Sequence, residues 1–122
     1  FKSGKGKYVS PVPIEGKLAA NPLIEQVCVM GSGLRAPVAV VIPSATAMSM
    51  PREDVEGSLG DTLRSVNETL ESHERLATIH VVDDPWTIEN ELLTPTMKIK
   101  RDQLEARYKD MIRKEGESIT WH

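Results

Sequence analysis

The feature that most constrains the fold is an unbroken apolar run in the first half of the chain, Pro-Val-Ala-Val-Val-Ile at 37–42. A short run rich in β-branched residues is typical of a buried strand. Residues 23–30 precede it with alternating polar and apolar side chains, and a Gly-Ser-Gly turn at 31–33 separates the two segments. These segments are therefore predicted to pair as an antiparallel hairpin.

Three other segments have the spacing of helices. The first begins at Ser10-Pro11, where an N-cap residue precedes a proline suited to the first helical position, and ends at Asn21-Pro22. The second begins at Pro51, and its apolar residues form one stripe: Val55, Leu59, Leu63, Val66 and Leu70. The third begins near Arg101 or Asp102, and its apolar positions are Leu104, Tyr108, Met111 and Ile112.

Short strands are also predicted at 7–9 and 78–82, and residues 43–50 are predicted to be a loop. The resulting order is strand, helix, two strands, helix, strand, loop, strand and helix. This order predicts an α+β fold with a small mixed or antiparallel sheet flanked by about three helices. A length of 122 residues fits a single domain, 1–122. Its core must be aliphatic, because the aromatic residues are only two Trp, two Tyr and one Phe.

Charge is unevenly distributed around a net value of −3. Residues 1–17 contain four Lys and one Glu, and residues 94–114 contain seven basic and three acidic residues. Between them, residues 52–91 contain eleven acidic residues and three Arg. If the fold joins the two basic segments, they form one positive face suited to a phosphate-rich ligand. An ordinary mixed surface explains the same distribution, so both interpretations stay open.

The cysteine and histidine residues predict structure rather than chemistry. Cys28 is the single cysteine, so it has no internal disulfide partner and is predicted to be a small buried hydrophobe. A reducing cytoplasm is compatible with this. His73 and His80 have no partners at metal-binding spacing, so no metal ligand is predicted. His80 is expected to be structural, and His122 is expected to be disordered.

The run Leu-Thr-Pro-Thr-Met-Lys-Ile-Lys-Arg at 93–101 is the strongest candidate for a functional site. As an extended segment it would place Met97 and Ile99 on one face and Lys98 on the other. Such a strand could present one ammonium group to an anionic centre. From spacing alone, a solvated lysine on an edge strand explains the pattern as well.

The segment Gly4-Lys5-Gly6-Lys7-Tyr8 superficially suggests a phosphate-binding loop. The spacing of a Walker A motif is absent. A hairpin turn with solvated lysines is therefore the favoured interpretation from sequence alone.

Three segments together resemble the C-terminal domain of adenylate-forming enzymes, and most closely that of long-chain fatty acyl-CoA synthetases. They are residues 1–15, the Asp-Pro-Trp-Thr-Ile-Glu-Asn run at 84–90 and the run at 93–101. The resemblance covers essentially the whole chain, which it implies to be a fragment of a longer ligase. Trp86 is still predicted to cover the core, with the polar residues that follow it in a loop.

The resemblance implies roles for four residues. Lys98 aligns with the lysine that enters the active site during adenylation and contacts carboxylate and phosphate oxygens, so it is the expected catalytic residue. Gly6, Lys7 and Tyr8 are expected to line the tunnel for the pantetheine arm of CoA. Many relatives have Gly at the positions of Glu91 and Met97.

The whole enzyme implied by the resemblance activates a fatty acid with ATP and Mg²⁺ and transfers it from acyl-AMP to CoA. The preceding adenylation domain would be the partner of this chain, which is expected to be inactive alone and to bind no cofactor by itself. A cytoplasmic location is expected, with any membrane association due to the missing domain, since no segment approaches the ~20 apolar residues of a membrane span. The alternative is a stand-alone module that binds RNA or another polyanion, which the net acidic charge and few aromatics disfavour.

Overall fold

The computed structural model describes residues 1–114 and 116–122, which form a four-stranded sheet between two layers of helix and loop. The elements are α1 (Pro11–Leu18), β1 (Ile24–Met30), β2 (Val38–Pro43), α2 (Ala45–Met48), α3 (Arg52–Glu68), a 3₁₀ turn (Ser72–Glu74), β3 (Ile79–Val81), α4 (Arg101–Tyr108) and β4 (Ile119–Trp121). The strands lie in the order β1-β2-β3-β4, with β1 antiparallel to β2 and the other two pairs parallel. The predicted α+β class, the mixed sheet and the hairpin are therefore confirmed.

Strand β2 contributes to two cores, one on each face of the sheet. Ala39 and Val41 belong to the core beneath α1 and α3, whereas Val38, Val40 and Ile42 belong to the opposite core. All five side chains are buried. Because successive strand residues point to opposite faces, a strand covered on both faces must be apolar at every position. This requirement explains the unbroken apolar run.

The first core lies between the sheet and the helices α1 and α3. The α3 stripe predicted from the sequence faces the sheet, and Val55 and Leu59 are each 1% exposed. The α1 side chains Ile14 and Leu18 complete this layer. Ser10 lies at the N-cap of α1 as predicted, but its side chain makes no capping hydrogen bond.

The second core lies under α4 and the loop that follows β3. Trp86 is 2% exposed there, as predicted, and its indole N–H donates to the Tyr108 hydroxyl at 3.0 Å. Gln26 of β1 holds the Trp86 backbone, because its amide accepts from the Trp86 N–H and donates to the Trp86 C=O, both at 2.9 Å. These contacts fix the start of the loop that leads to Lys98.

Three sequence predictions need correction. Residues 7–9 form no strand; Lys2 and Tyr8 make an isolated antiparallel bridge within a short N-terminal hairpin. The predicted loop at 43–50 contains the short helix α2. His122 is not disordered in this structure, because its N–H donates to the Val81 C=O at 3.0 Å beside β4, a strand that the sequence did not predict.

Candidate functional site

Lys98 lies at the end of a tight turn rather than on an extended strand. The Met97 N–H donates to the Thr94 C=O at 2.8 Å, and the Thr94 N–H donates to the Lys98 C=O at 2.7 Å. Pro95 occupies the second position of this turn, where its fixed φ is favourable. An antiparallel bridge between Leu93 and Ile99 closes the base. Residues 93–99 therefore form a miniature hairpin, called the Lys98 turn below.

The prediction that Met97 packs on the same face as Ile99 is wrong. Met97 adopts a left-handed conformation, with φ of +67°, and is 65% exposed. Ile99 is half-buried against the second core. The alternation of an extended strand fails here because Pro95 begins a reverse turn.

The Lys98 side chain is exposed, and its backbone N–H donates to the Thr94 hydroxyl at 3.1 Å. Within residues 1–114 and 116–122 the ion pairs are Asp61–Arg64, Glu15–Arg101 and Asp84–Arg107. Among these described residues, the Lys98 ammonium group therefore takes part in no ion pair. The backbone that carries it is held in place by the hydrogen bonds of the turn. A compact ammonium group in this arrangement can stabilise an approaching anion.

An ion pair that no local sequence pattern predicts joins the two motif-bearing segments. The two terminal guanidinium nitrogens of Arg101, Nη1 and Nη2, donate to the Glu15 carboxylate at 2.5 and 3.0 Å. The hydrogen bond to Glu15 is the main reason why the pKa of Arg101 is raised above its usual value. Both residues belong to the segments that resemble the ligase family. Their opposite charges are the one sequence feature that suggests a pair. No local spacing predicts the contact, because the two residues are far apart in the chain.

Cys28 lies beside this pair and is fully buried, as predicted. Burial raises the pKa of its thiol to about 12, against a smaller opposing effect of the Arg101 charge. Because the thiolate is the reactive form, the folded chain holds Cys28 in an unreactive state.

The residues Gly4 to Tyr8 form the predicted hairpin turn. The Ser3 N–H donates to the Lys7 C=O at 2.8 Å, and the Gly6 N–H donates to the Ser3 C=O at 3.0 Å. Gly6 has φ of +79°, which disfavours any residue with a Cβ atom. Gly6, Lys7 and Tyr8 are all exposed, and Tyr8 is 75% exposed.

This N-terminal turn packs on the turn between β1 and β2, where the Gly4 N–H donates to the Leu34 C=O at 2.6 Å. The Lys98 turn packs instead on the second core through Leu93 and Ile99. The Glu15–Arg101 pair joins the segments that contain these two exposed turns. A single positive face made by both basic segments stays a prediction.

Other parts of the described chain offer less chemistry. Asn90 stabilises the loop before the Lys98 turn, since its side chain accepts from the Thr87 N–H at 2.9 Å and donates to the Pro85 C=O at 3.0 Å. Among residues 1–114 and 116–122, no group of three or more His, Cys, Asp or Glu could hold a metal ion. Within the same ranges, no helix has the length and hydrophobicity needed to cross a membrane.

The sequence and the fold of this chain are similar to those of known proteins. The family of AMP-binding enzyme C-terminal domains matches residues 3–115. A chloroplastic long-chain-fatty-acid–[acyl-carrier-protein] ligase of Arabidopsis thaliana is 38% identical over 113 residues, which cover 88% of this chain and 15% of that ligase. Long-chain-fatty-acid–CoA ligase 6 of Homo sapiens is 32% identical over 130 residues, covering 92% of this chain and 19% of that ligase.

Among solved structures, the A-PCP didomain of carboxylic acid reductase from Segniliparus rugosus, in complex with AMP, superposes with a TM-score of 0.77. It is 30% identical, and the match covers 93% of this chain and 16% of the didomain. The chain thus spans only a small part of each of these longer proteins.

Proposed function

The chain belongs to the family of AMP-binding enzyme C-terminal domains, and on this basis we propose that it is the mobile C-terminal domain of a ligase that activates a fatty acid with ATP. The observation that supports the proposal best is the Lys98 turn. It holds an exposed ammonium group on a backbone fixed by hydrogen bonds, at the position where the family resemblance expects the adenylation lysine.

Lys98 would act in the first half-reaction, in which a carboxylate attacks the α-phosphate of ATP to give acyl-AMP and pyrophosphate. Two anions approach each other in that step, and negative charge develops on the transferred group. An ammonium group placed at the reacting oxygens stabilises this arrangement electrostatically. ATP, the fatty acid and Mg²⁺ would be bound by the preceding adenylation domain, so the 122-residue chain alone should be inactive.

The second half-reaction would transfer the acyl group from acyl-AMP to a thiol, which we propose to be that of CoA. A rotation of this domain would then replace the Lys98 turn at the active site by the turn that contains Gly6, Lys7 and Tyr8. Gly6 has no side chain and would allow close approach of the pantetheine chain. The names of the relatives support acyl transfer with different acceptors, since one is an acyl-carrier-protein ligase and another a CoA ligase.

The test uses the full-length protein with Lys98→Ala. We expect fatty-acid-dependent pyrophosphate release to fall by about 10²–10³, the usual effect of removing one group that stabilises a transition state. Conversion of supplied acyl-AMP and CoA to acyl-CoA should be retained, because a different turn would serve that step. The matched control is Lys109→Ala, which removes an exposed lysine just after α4 and should leave both rates unchanged. Wild-type pyrophosphate release by Lys98→Ala would refute the proposal.

A further inference from the structure

The ion pair between Glu15 and Arg101 has a geometry that goes beyond simple charge pairing. We propose that the pair is a positioning device that holds the Lys98 turn in place for adenylation. Arg101 is then a positioning residue and not a catalytic one, since it would act through Lys98. The inference rests on the function proposed for Lys98.

The pair closes the free edge of the sheet at Val29. Glu15 accepts a hydrogen bond from the Val29 N–H at 2.7 Å, and Arg101 donates one to the Val29 C=O at 2.9 Å. Strand β1 lies at the sheet edge, so these backbone groups have no neighbouring strand to bond. The two side chains supply the donor and the acceptor that a neighbouring strand would supply.

The pair is largely shielded from water. The Glu15 side chain is 12% exposed and the Arg101 side chain 24% exposed. Bidentate contacts between a guanidinium and a carboxylate are geometrically specific as well as strong. Removal of either partner would leave one Val29 backbone group without its hydrogen bond and the other side chain without its opposite charge, so the intact pair favours one position of Arg101.

We infer that α1 and β1 hold the Lys98 turn in place, rather than the turn holding them. Glu15 lies on α1, which is anchored in the first core by Ile14 and Leu18, with exposures of 1% and 0%. The Lys98 turn is anchored in the second core at its base, by Leu93, which is 3% exposed, and by the half-buried Ile99, whereas residues 94–98 between them are exposed or half-buried. Two residues separate Lys98 from Arg101, so their Cα atoms can be at most about 10–11 Å apart. Fixing Arg101 therefore restricts where Lys98 can lie.

The expected consequence is kinetic and specific to one half-reaction. Displacement of a positioned group by about 1 Å can reduce a rate by up to about 10²-fold. Loss of the pair should therefore slow pyrophosphate release, which depends on Lys98. It should leave transfer from supplied acyl-AMP to CoA close to wild type.

The experiment is a double-mutant cycle in the full-length protein, with Arg101→Gln, Lys98→Ala and the combined variant. We expect Arg101→Gln alone to lower kcat for pyrophosphate release by about 10-fold. Added to Lys98→Ala, it should lower kcat no further, because effects of groups that act as a unit are not additive. A merely structural role would give a loss that multiplies with that of Lys98→Ala, and this result would overturn the inference. Arg101→Lys keeps the charge but cannot make the bidentate contact of a guanidinium, so it should recover only part of the rate of pyrophosphate release.

The matched control is Arg107→Gln, which removes another α4 arginine from an ion pair, here the exposed one with Asp84. It should leave kcat unchanged. If Arg101→Gln does not fold, Glu15→Gln replaces it in the cycle, because its amide oxygen can still accept from the Val29 N–H. Wild-type rates for Lys98→Ala would refute the proposed function itself. A slow Lys98→Ala together with a fully active Arg101→Gln would refute only the positioning role.

Discussion

Two residues that precede the catalytic candidate Lys98 in the chain have backbone conformations that disfavour their side chains. Glu91 and Met97 both have φ near +66°, at +66° and +67°, and neither is glycine. The family resemblance associates glycine with these same two positions. A left-handed conformation costs an ordinary residue about 1–2 kcal/mol, so strain is stored at Glu91, just before the Lys98 turn, and at Met97, within it.

We expect Met97→Gly to raise the free energy of unfolding of the 122-residue chain by up to about 1 kcal/mol. The substitution relieves the left-handed strain, and little packing is lost from a side chain that is 65% exposed. The greater freedom of glycine in the unfolded chain offsets part of this gain. Urea denaturation measures the change.

Met48→Gly is the matched control, because Met48 is also 65% exposed but lies in helix α2. It should lower stability by up to about 1 kcal/mol, the cost of glycine in a helix interior, because Met48 is the last residue of α2. Equal destabilisation by both substitutions would show that Met97 is not strained.

At the scale of elements, the N-terminal hairpin and the β1–β2 turn are held together by close backbone contact. A Cβ atom on Gly4 would lie 2.8 Å from the Gly33 carbonyl oxygen and 3.1 Å from that of Leu34. Both obstacles are backbone atoms, so neither can move as a flexible side chain would. The position of the turn that contains Gly6 thus depends on the absence of a side chain at Gly4.

Gly4→Ala should therefore destabilise the 122-residue chain by about 1–3 kcal/mol, the usual cost of overpacking. Gly16→Ala is the control, since a Cβ atom there meets nothing within 4 Å and lies in helix α1. It should stabilise by about 0.5–1 kcal/mol. Thermal unfolding of both variants measures the difference, and a stable Gly4→Ala would show that the two turns can separate without cost.

For the whole molecule, one buried histidine couples folding to pH. His80 is 1% exposed in β3, and its Nδ1 lies 2.9 Å from His122 Nε2. Burial is the main reason why the pKa of His80 is lowered to about 4. In the unfolded chain the same group has a pKa of about 6.5.

The unfolded chain therefore binds the proton first as the pH falls. The free energy of unfolding should be highest above about pH 6.5 and should fall between pH 6.5 and 4, by on the order of 3 kcal/mol in total for this group. His80→Gln, which cannot titrate, should make the dependence shallower over this window. Urea denaturation at a series of pH values measures it, and an unchanged slope in His80→Gln would contradict the assignment.

Local sequence patterns were enough to predict most of the helices and strands, and the motifs were enough to predict the family of the chain. The β-branched run of β2, the apolar stripe of α3 and the start of α4 depend on side-chain periodicity, which neighbours in the sequence determine. Lys98 was also identified from sequence, through its motif. The shape of its turn was not, because Pro95 starts a reverse turn and Met97 is held in a conformation that local preference disfavours.

By itself, the sequence determined the α+β class, the positions of most helices and strands, and the choice of Lys98 as the catalytic candidate. Only the tertiary structure decided that β4 pairs in parallel with β3, and that Glu15 and Arg101 meet across 86 positions to cap β1 at Val29. The physical reason is range. The periodicity of apolar side chains shows which face of each segment packs on a core. The three-residue strand β4 and the Glu15–Arg101 pair form only when the rest of the fold has brought their partners together.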